Sequence, residues 1–135
     1  MALLRWTKKY SVGVKALDDQ HIKLVHDLNK LHAVMLKGNA QSVAGDLASG
    51  GMERMYSHFS AEERLMEDTK FPGLDQHRAE HRAIAAKVAE FMALYEQDDQ
   101  TMYPPLLRFM GNWLHDHMLT VDKQYTAWMN NHGIH

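Results

Sequence analysis

Ten histidines and no cysteine set the first chemical question. A chain without thiols cannot build thiolate zinc sites or iron–sulfur clusters and has no cysteine nucleophile. Imidazole is then the ligand to consider first. Two pairs stand one helical turn apart: His58 and Glu62 in "HFSAE", and His77 and His81 in "HRAEH". An i, i+4 pair sets two donor atoms on one side of a metal. Either pair alone is weak, because surface helices carry such spacings by chance. Two pairs, with further histidines on inward faces elsewhere, point to a shared metal site. His132 and His135, in the terminal "NNHGIH", read as a frayed tail instead.

The segment "NWLHDHMLTVD" adds His115, His117 and Asp122. At about 100° per residue, His117 falls within about 40° of Met110, Trp113 and Val121, hence inward. His115 lies about 160° away, toward solvent. On a regular helix Asp122 sits about 140° from His117, where it would be a surface residue beside His115. A single π-bulge between His117 and Asp122 would turn the five-residue step into an effective four-residue one and aim Asp122 inward. The same bulge would shift the buried stripe from Gln124 and Trp128 to Tyr125 and Met129, removing a glutamine from the core. An irregular last helix is therefore expected.

These residues need elements to position them. A chain of 135 residues suits one domain spanning 1–135. Residues 1–17 lack helical spacing and read as an extended arm packing Trp6, Tyr10, Val12 and Val14 across helices. Four helices follow, over about 19–37, 42–68, 75–97 and 104–130. Asp18 is the candidate N-cap of the first and Gly38-Asn39 its stop. Pro72-Gly73 marks the turn after the second, and Pro104 is tolerated in the first turn of the fourth. The inward stripes are His21, Val25, Leu28, His32 and Met35; Leu47, Gly51, Met55, His58, Glu62 and Leu65; and His77, His81, Ile84, Val88, Phe91 or Met92, and Tyr95. Short connections imply an all-α, antiparallel up-down-up-down four-helix bundle. Gly50-Gly51 inside the second helix costs about 1 kcal/mol per glycine and reads either as a tolerated weak spot or kink, or as a close backbone approach or bend beside a ligand path.

Core stripes should be apolar, yet these carry His21, His58, Glu62, His77, His81 and His117. Burying them without a shared cation would leave a large desolvation cost, which metal coordination removes. His32 alone reads as a hydrogen-bonded core histidine, and His26, off the stripe, as exposed. With 15 basic and 17 acidic residues, the surface suggests neither nucleic acid nor anionic lipid as partner. The N-terminal apolar stretch is too short for a signal peptide, and no apolar run of about 20 residues exists for membrane insertion. Cysteine usage fits the cytoplasm, and the absence of a fused signalling domain disfavours a receptor.

Four quoted motifs in order, "DDQH", "HFSAEE", "QHRAEH" and "WLHDHMLTVD", together with the arm and the Phe71-Pro72 turn, resemble the hemerythrin family, in particular its stand-alone bacterial members, over nearly the whole chain. The resemblance implies two non-haem irons joined by an oxo or hydroxo bridge. It implies that His77, His81 and His117 hold one iron, that His21 and His58 hold the other, and that Glu62 and Asp122 bridge them. It leaves one position open for O2 and makes His115 a bystander. Leu24, Trp113 and Leu114 are candidates for an apolar O2 pocket. The ten methionines read as core filler.

Bundles that activate O2 are built mainly from glutamates, with Glu-x-x-His motifs that this chain lacks. Five imidazoles and two carboxylates supply less negative charge, which favours binding O2 and returning it. Reversible O2 binding for transport, storage or sensing is the expected function, with at most weak oxidase or peroxidase side activity. A di-iron oxidase, peroxidase or nitric-oxide-processing enzyme, or an iron-handling protein, is the alternative. A monomer exchanging O2 with an unidentified protein recipient is expected.

Overall fold

Apolar residues at helical spacing become four main helices in the computed structural model, which describes residues 3–36, 41–96 and 103–135. They are α1 (Lys15–Leu36), α2 (Gln41–Asp68), α3 (Leu74–Glu96) and α4 (Tyr103–Asp116). Beyond α4 the chain runs through a π-helical turn (His117–Val121) and a 3-10 turn (Asp122–Tyr125) into α5 (Thr126–Asn131). There is no strand among the described residues. Around the bundle, α1 packs on α2, α2 on α3, α3 on α4 and α4 on α1. Paired residues run in opposite directions along neighbours. Gln20 meets His58 while Asp27 meets Arg54, and Phe59 meets His81 while Glu67 meets Arg78. Glu80 meets His117 while Lys87 covers the Phe109 ring.

Helix α1 starts four residues before the expected position, and Asp18 is not its N-cap. The carboxylate lies in the first turn and reaches back to the arm, accepting from Ser11 Oγ at 2.6 Å and from the Val12 N–H at 2.8 Å. A carboxylate there also complements the positive end of the helix. The arm, with a 3-10 turn at Lys8–Tyr10, buries Tyr10, Val12 and Val14. Gly13 allows its close approach to the last helix: its φ is +72°, and a Cβ there would meet Thr126 Cγ2 at 2.8 Å. Helix α2 ends as expected at Asp68; Lys70 takes a left-handed φ of 58°, and the Phe71 N–H caps the Met66 carbonyl at 2.8 Å.

Two apolar clusters bracket the middle of the bundle. One joins Val12, Val14, Leu17, Met66, Tyr125 and Met129; the other joins Phe59, Ile84 and Val88 with the half-buried Met52, Met55, Met110 and Trp113. Met66, not Leu65, is the fully buried residue one turn after Glu62. Helix α2 passes Gly50-Gly51 without interruption, and a Cβ at Gly51 would meet only Asp27 Cβ at 3.8 Å. The expected stop at Gly38-Asn39, the helix ends at Lys37 and Gln97, and the side chains of Met35, Leu47, Phe91, Met92, Tyr95 and Pro104 lie outside what is described.

Candidate metal centre

Between those clusters the bundle interior is polar. His21 of α1, His58 and Glu62 of α2, His77 and His81 of α3, and His117 and Asp122 of the irregular segment are all buried. Helical spacing delivers the first five. The last two depend on the π turn, where the Asp122 N–H reaches the His117 carbonyl five residues back. That absorbs the extra residue and sets Asp122 Oδ1 2.9 Å from His117 Nε2. The departure is larger than one bulge, because the 3-10 turn follows directly. Its consequence for the core is the expected one: Tyr125 and Met129 are fully buried, while Gln124 is exposed.

Each carboxylate divides its oxygens between two histidine sets. Glu62 Oε1 approaches His77 Nε2 at 2.8 Å and His81 Nε2 at 3.1 Å, while Oε2 approaches His58 at 3.3 Å and His21 at 3.4 Å. Asp122 Oδ1 faces His77 at 3.0 Å and His117 at 2.9 Å, while Oδ2 faces His21 at 3.2 Å. Glu62, His77, His81, His117 and Asp122 converge closely enough to hold one cation, and His21, His58 and Glu62 to hold another.

The hydrogen-bond pattern shows which atoms are free for a cation. The outward Nδ1 atoms of His58, His81 and His117 are engaged by Gln20, Glu63 and Glu80. This assigns the ring proton to Nδ1 and leaves the Nε2 lone pair inward. His81 Nε2, His117 Nε2 and both Asp122 oxygens are buried without an aligned hydrogen bond among the described residues. Buried polar atoms rarely go unpaired, and atoms that converge on one point without bonding each other form a donor set. On the other side His21 Nε2 and His58 Nε2 also point inward, where they share a hydrogen bond of 2.9 Å.

The electrostatics agree. Burial opposes charge on His21, but the adjoining Asp122 and Glu62 outweigh it and push its pKa up to about 10. The same two carboxylates overcome burial at His77 and raise it to about 9. Burial and the charge of Glu62 work against ionised Asp122, yet the facing His117, His21 and His77 hold it well below the usual carboxylate range. Glu62 is likewise held low against its burial by His58, His21 and His77. The pocket thus holds two carboxylates ionised and demands positive charge, from protons or from cations.

Residues outside the expected set complete the site. The Tyr125 hydroxyl donates to Glu62 Oε2 at 2.8 Å, and burial with the nearby carboxylates keeps it protonated. Phe59 stacks on His81 at 3.9 Å and Trp113 on His117 at 4.3 Å. Behind these rings lies an apolar cavity of about 90 Å3, lined in part by Leu24, Met55, Trp113 and Leu114. His115 stands apart, half-exposed and bonded to Asp116, with its ring edge against Tyr10. His26 is exposed; His32 is half-buried, and its Nδ1 has no partner among the described residues. Sequence reading missed Gln20, Glu63, Glu80, Phe59 and the Tyr125 hydroxyl; a polar residue flanking each histidine motif was the available signal.

Comparison with known proteins finds relatives of the chain as a whole. The profile of the hemerythrin HHE cation binding domain matches residues 12–129. A bacteriohemerythrin of Stenotrophomonas maltophilia is 28% identical over 132 residues, covering 98% of this chain and 85% of that protein. One from Methylococcus capsulatus is 29% identical over 126 residues, covering 93% and 95%. The crystal structure of a wild-type hemerythrin superposes with a TM-score of 0.88 at 28% identity, covering 95% of this chain and 98% of that one.

Proposed function

The chain belongs to the hemerythrin family, and from that premise we propose that it binds O2 reversibly at a pair of non-haem irons, in oxygen transport, storage or sensing. The observation that carries this reading is the division of Glu62 and Asp122 between two histidine sets. A carboxylate with one oxygen on each side is a bridge, and two bridges define two adjacent metal positions. His77, His81 and His117 would hold one iron and His21 and His58 the other, with Glu62 and Asp122 available to both. Nitrogen and carboxylate donors without sulfur suit iron in this setting.

When bound, an iron pair would supply the reversible two-electron chemistry that O2 binding needs. The chain's own residues do the rest. Gln20, Glu63 and Glu80 fix the rings, so that little reorganisation accompanies a change of charge. Tyr125 holds Glu62 in place. Trp113 and Phe59 cover two ligand rings, and Leu24 and Leu114 line the apolar cavity behind them, which limits water and protons near bound oxygen. With two histidines against three, the His21–His58 side would hold its ion with fewer donors from this chain.

No helix among the described residues is long and apolar enough to cross a membrane. A cytoplasmic monomer, delivering O2 to a protein recipient and turning over only weakly as an oxidase or peroxidase, is the form we assign. The test is repeated cycling of the reduced, iron-loaded chain between O2 and argon. Colour should appear and bleach over many cycles. One-way conversion to the ferric form with release of H2O2 in the first cycle would overturn the carrier reading.

A further inference from the structure

The histidines of the two sets are backed by unlike partners. On the three-histidine side, His81 Nδ1 lies 2.8 Å from Glu63 Oε2, and His117 Nδ1 lies 3.1 Å from Glu80 Oε2. On the two-histidine side, His58 Nδ1 lies 2.6 Å from the amide oxygen of Gln20, and His21 Nδ1 is buried with no partner among the described residues. Both outer carboxylates therefore serve one metal position and neither serves the other. Glu63 is itself set by Arg78, whose Nε lies 3.2 Å from its second oxygen. That contact leaves Oε2 aimed at His81.

An amide and a carboxylate can both orient a ring, because each accepts the Nδ1 proton. Only the carboxylate adds charge. It draws the ring proton outward and makes the inward Nε2 a stronger donor to a cation. The donor count acts in the same direction, with three rings against two.

We infer that Glu63 and Glu80 are positioning residues that make the His77–His81–His117 position the tighter and more readily oxidised of the two, so that metal leaves first from the His21–His58 position. This rests on the di-iron reading above.

The test is anaerobic Fe(II) competition against a chromophoric ferrous chelator, which yields two dissociation constants for the intact chain. Glu63→Gln and Glu80→Gln keep an acceptor for the ring N–H and remove only the charge. Each should weaken the tighter constant by roughly ten- to a hundredfold, leave the weaker one in place, and raise the reduction potential of the tightly held ion. Gln20→Glu should do the reverse, tightening the weaker constant. Thermal unfolding of the metal-free variants checks that the bundle is intact. Unchanged constants in both Gln variants, or weakening of the looser site alone, would overturn the inference while leaving the di-iron reading intact. A native chain that binds fewer than two irons would overturn both.

Discussion

Deletion of Thr120 should leave the metal centre intact, although it shortens the segment between two of the proposed ligands. Five residues of regular helix turn about 500°, which is about 140° out of line, whereas four turn about 400° and leave a mismatch of only about 40°. The π turn at His117–Val121 absorbs the fifth residue, so removing one residue there restores an ordinary helix with Asp122 on the same face. Thr120 is exposed, and among the described residues its hydroxyl bonds only the Asp116 carbonyl, so no core contact there is lost. Insertion of one alanine after Thr120 is the opposite perturbation. A further 100° on a helix radius of about 2.3 Å displaces the Asp122 Cα by about 3.5 Å, and its carboxylate by more. That exceeds the 2.9–3.2 Å contacts Asp122 makes to His117, His77 and His21. Iron per chain, measured after anaerobic loading and gel filtration, should stay at two for the deletion and fall for the insertion. A folded deletion variant without iron would refute the claim that the π turn exists to aim Asp122.

Three other outcomes follow from contacts in the structure. Tyr125→Phe removes a buried hydroxyl 2.8 Å from Glu62 Oε2 and should destabilise the metal-free chain by about 1.5–3 kcal/mol, read from urea unfolding; no change would mean that Glu62 is held without it. Asp18→Ala frees Ser11 and Val12, and a loss of about 1.5–3 kcal/mol with faster proteolysis of the arm is expected. His21 and His77, raised to about 10 and about 9 from 6.5, stabilise the metal-free fold fully below pH 6.5, and that contribution drains as pH rises through their folded values. Unfolding free energy of the metal-free chain should therefore fall between pH 7 and pH 10. A flat or rising profile there would contradict the proton-filled pocket, while iron affinity should rise with pH because binding expels those protons.

Much of the site was legible because helical spacing carries it. His58 with Glu62 and His77 with His81 need only a regular helix to share a face. Asp122 was legible through an inconsistency: its five-residue step from His117 failed on a regular helix, and the repair also predicted Tyr125 and Met129 in the core, where they lie. What stayed hidden depends on tertiary pairing. Glu63 and Glu80 sit on helix flanks that look like solvated surface, and only the neighbouring helix turns them toward His81 and His117. Asp18 misled because its residue type suits a cap and an anchor equally well; the arm folding back over the helix start decides between them. The 3-10 turn after the π segment left no distinct mark in "DKQY".

The central claim is that two bridging carboxylates hold an iron pair that takes up and returns one O2. Anaerobic titration of the reduced, two-iron chain with O2-saturated buffer, followed in the visible spectrum, tests it most directly. The account predicts an end point at one O2 per two irons and full recovery of the reduced spectrum on deoxygenation. Continuing O2 consumption beyond that end point, or a spectrum that argon cannot reverse, would contradict it.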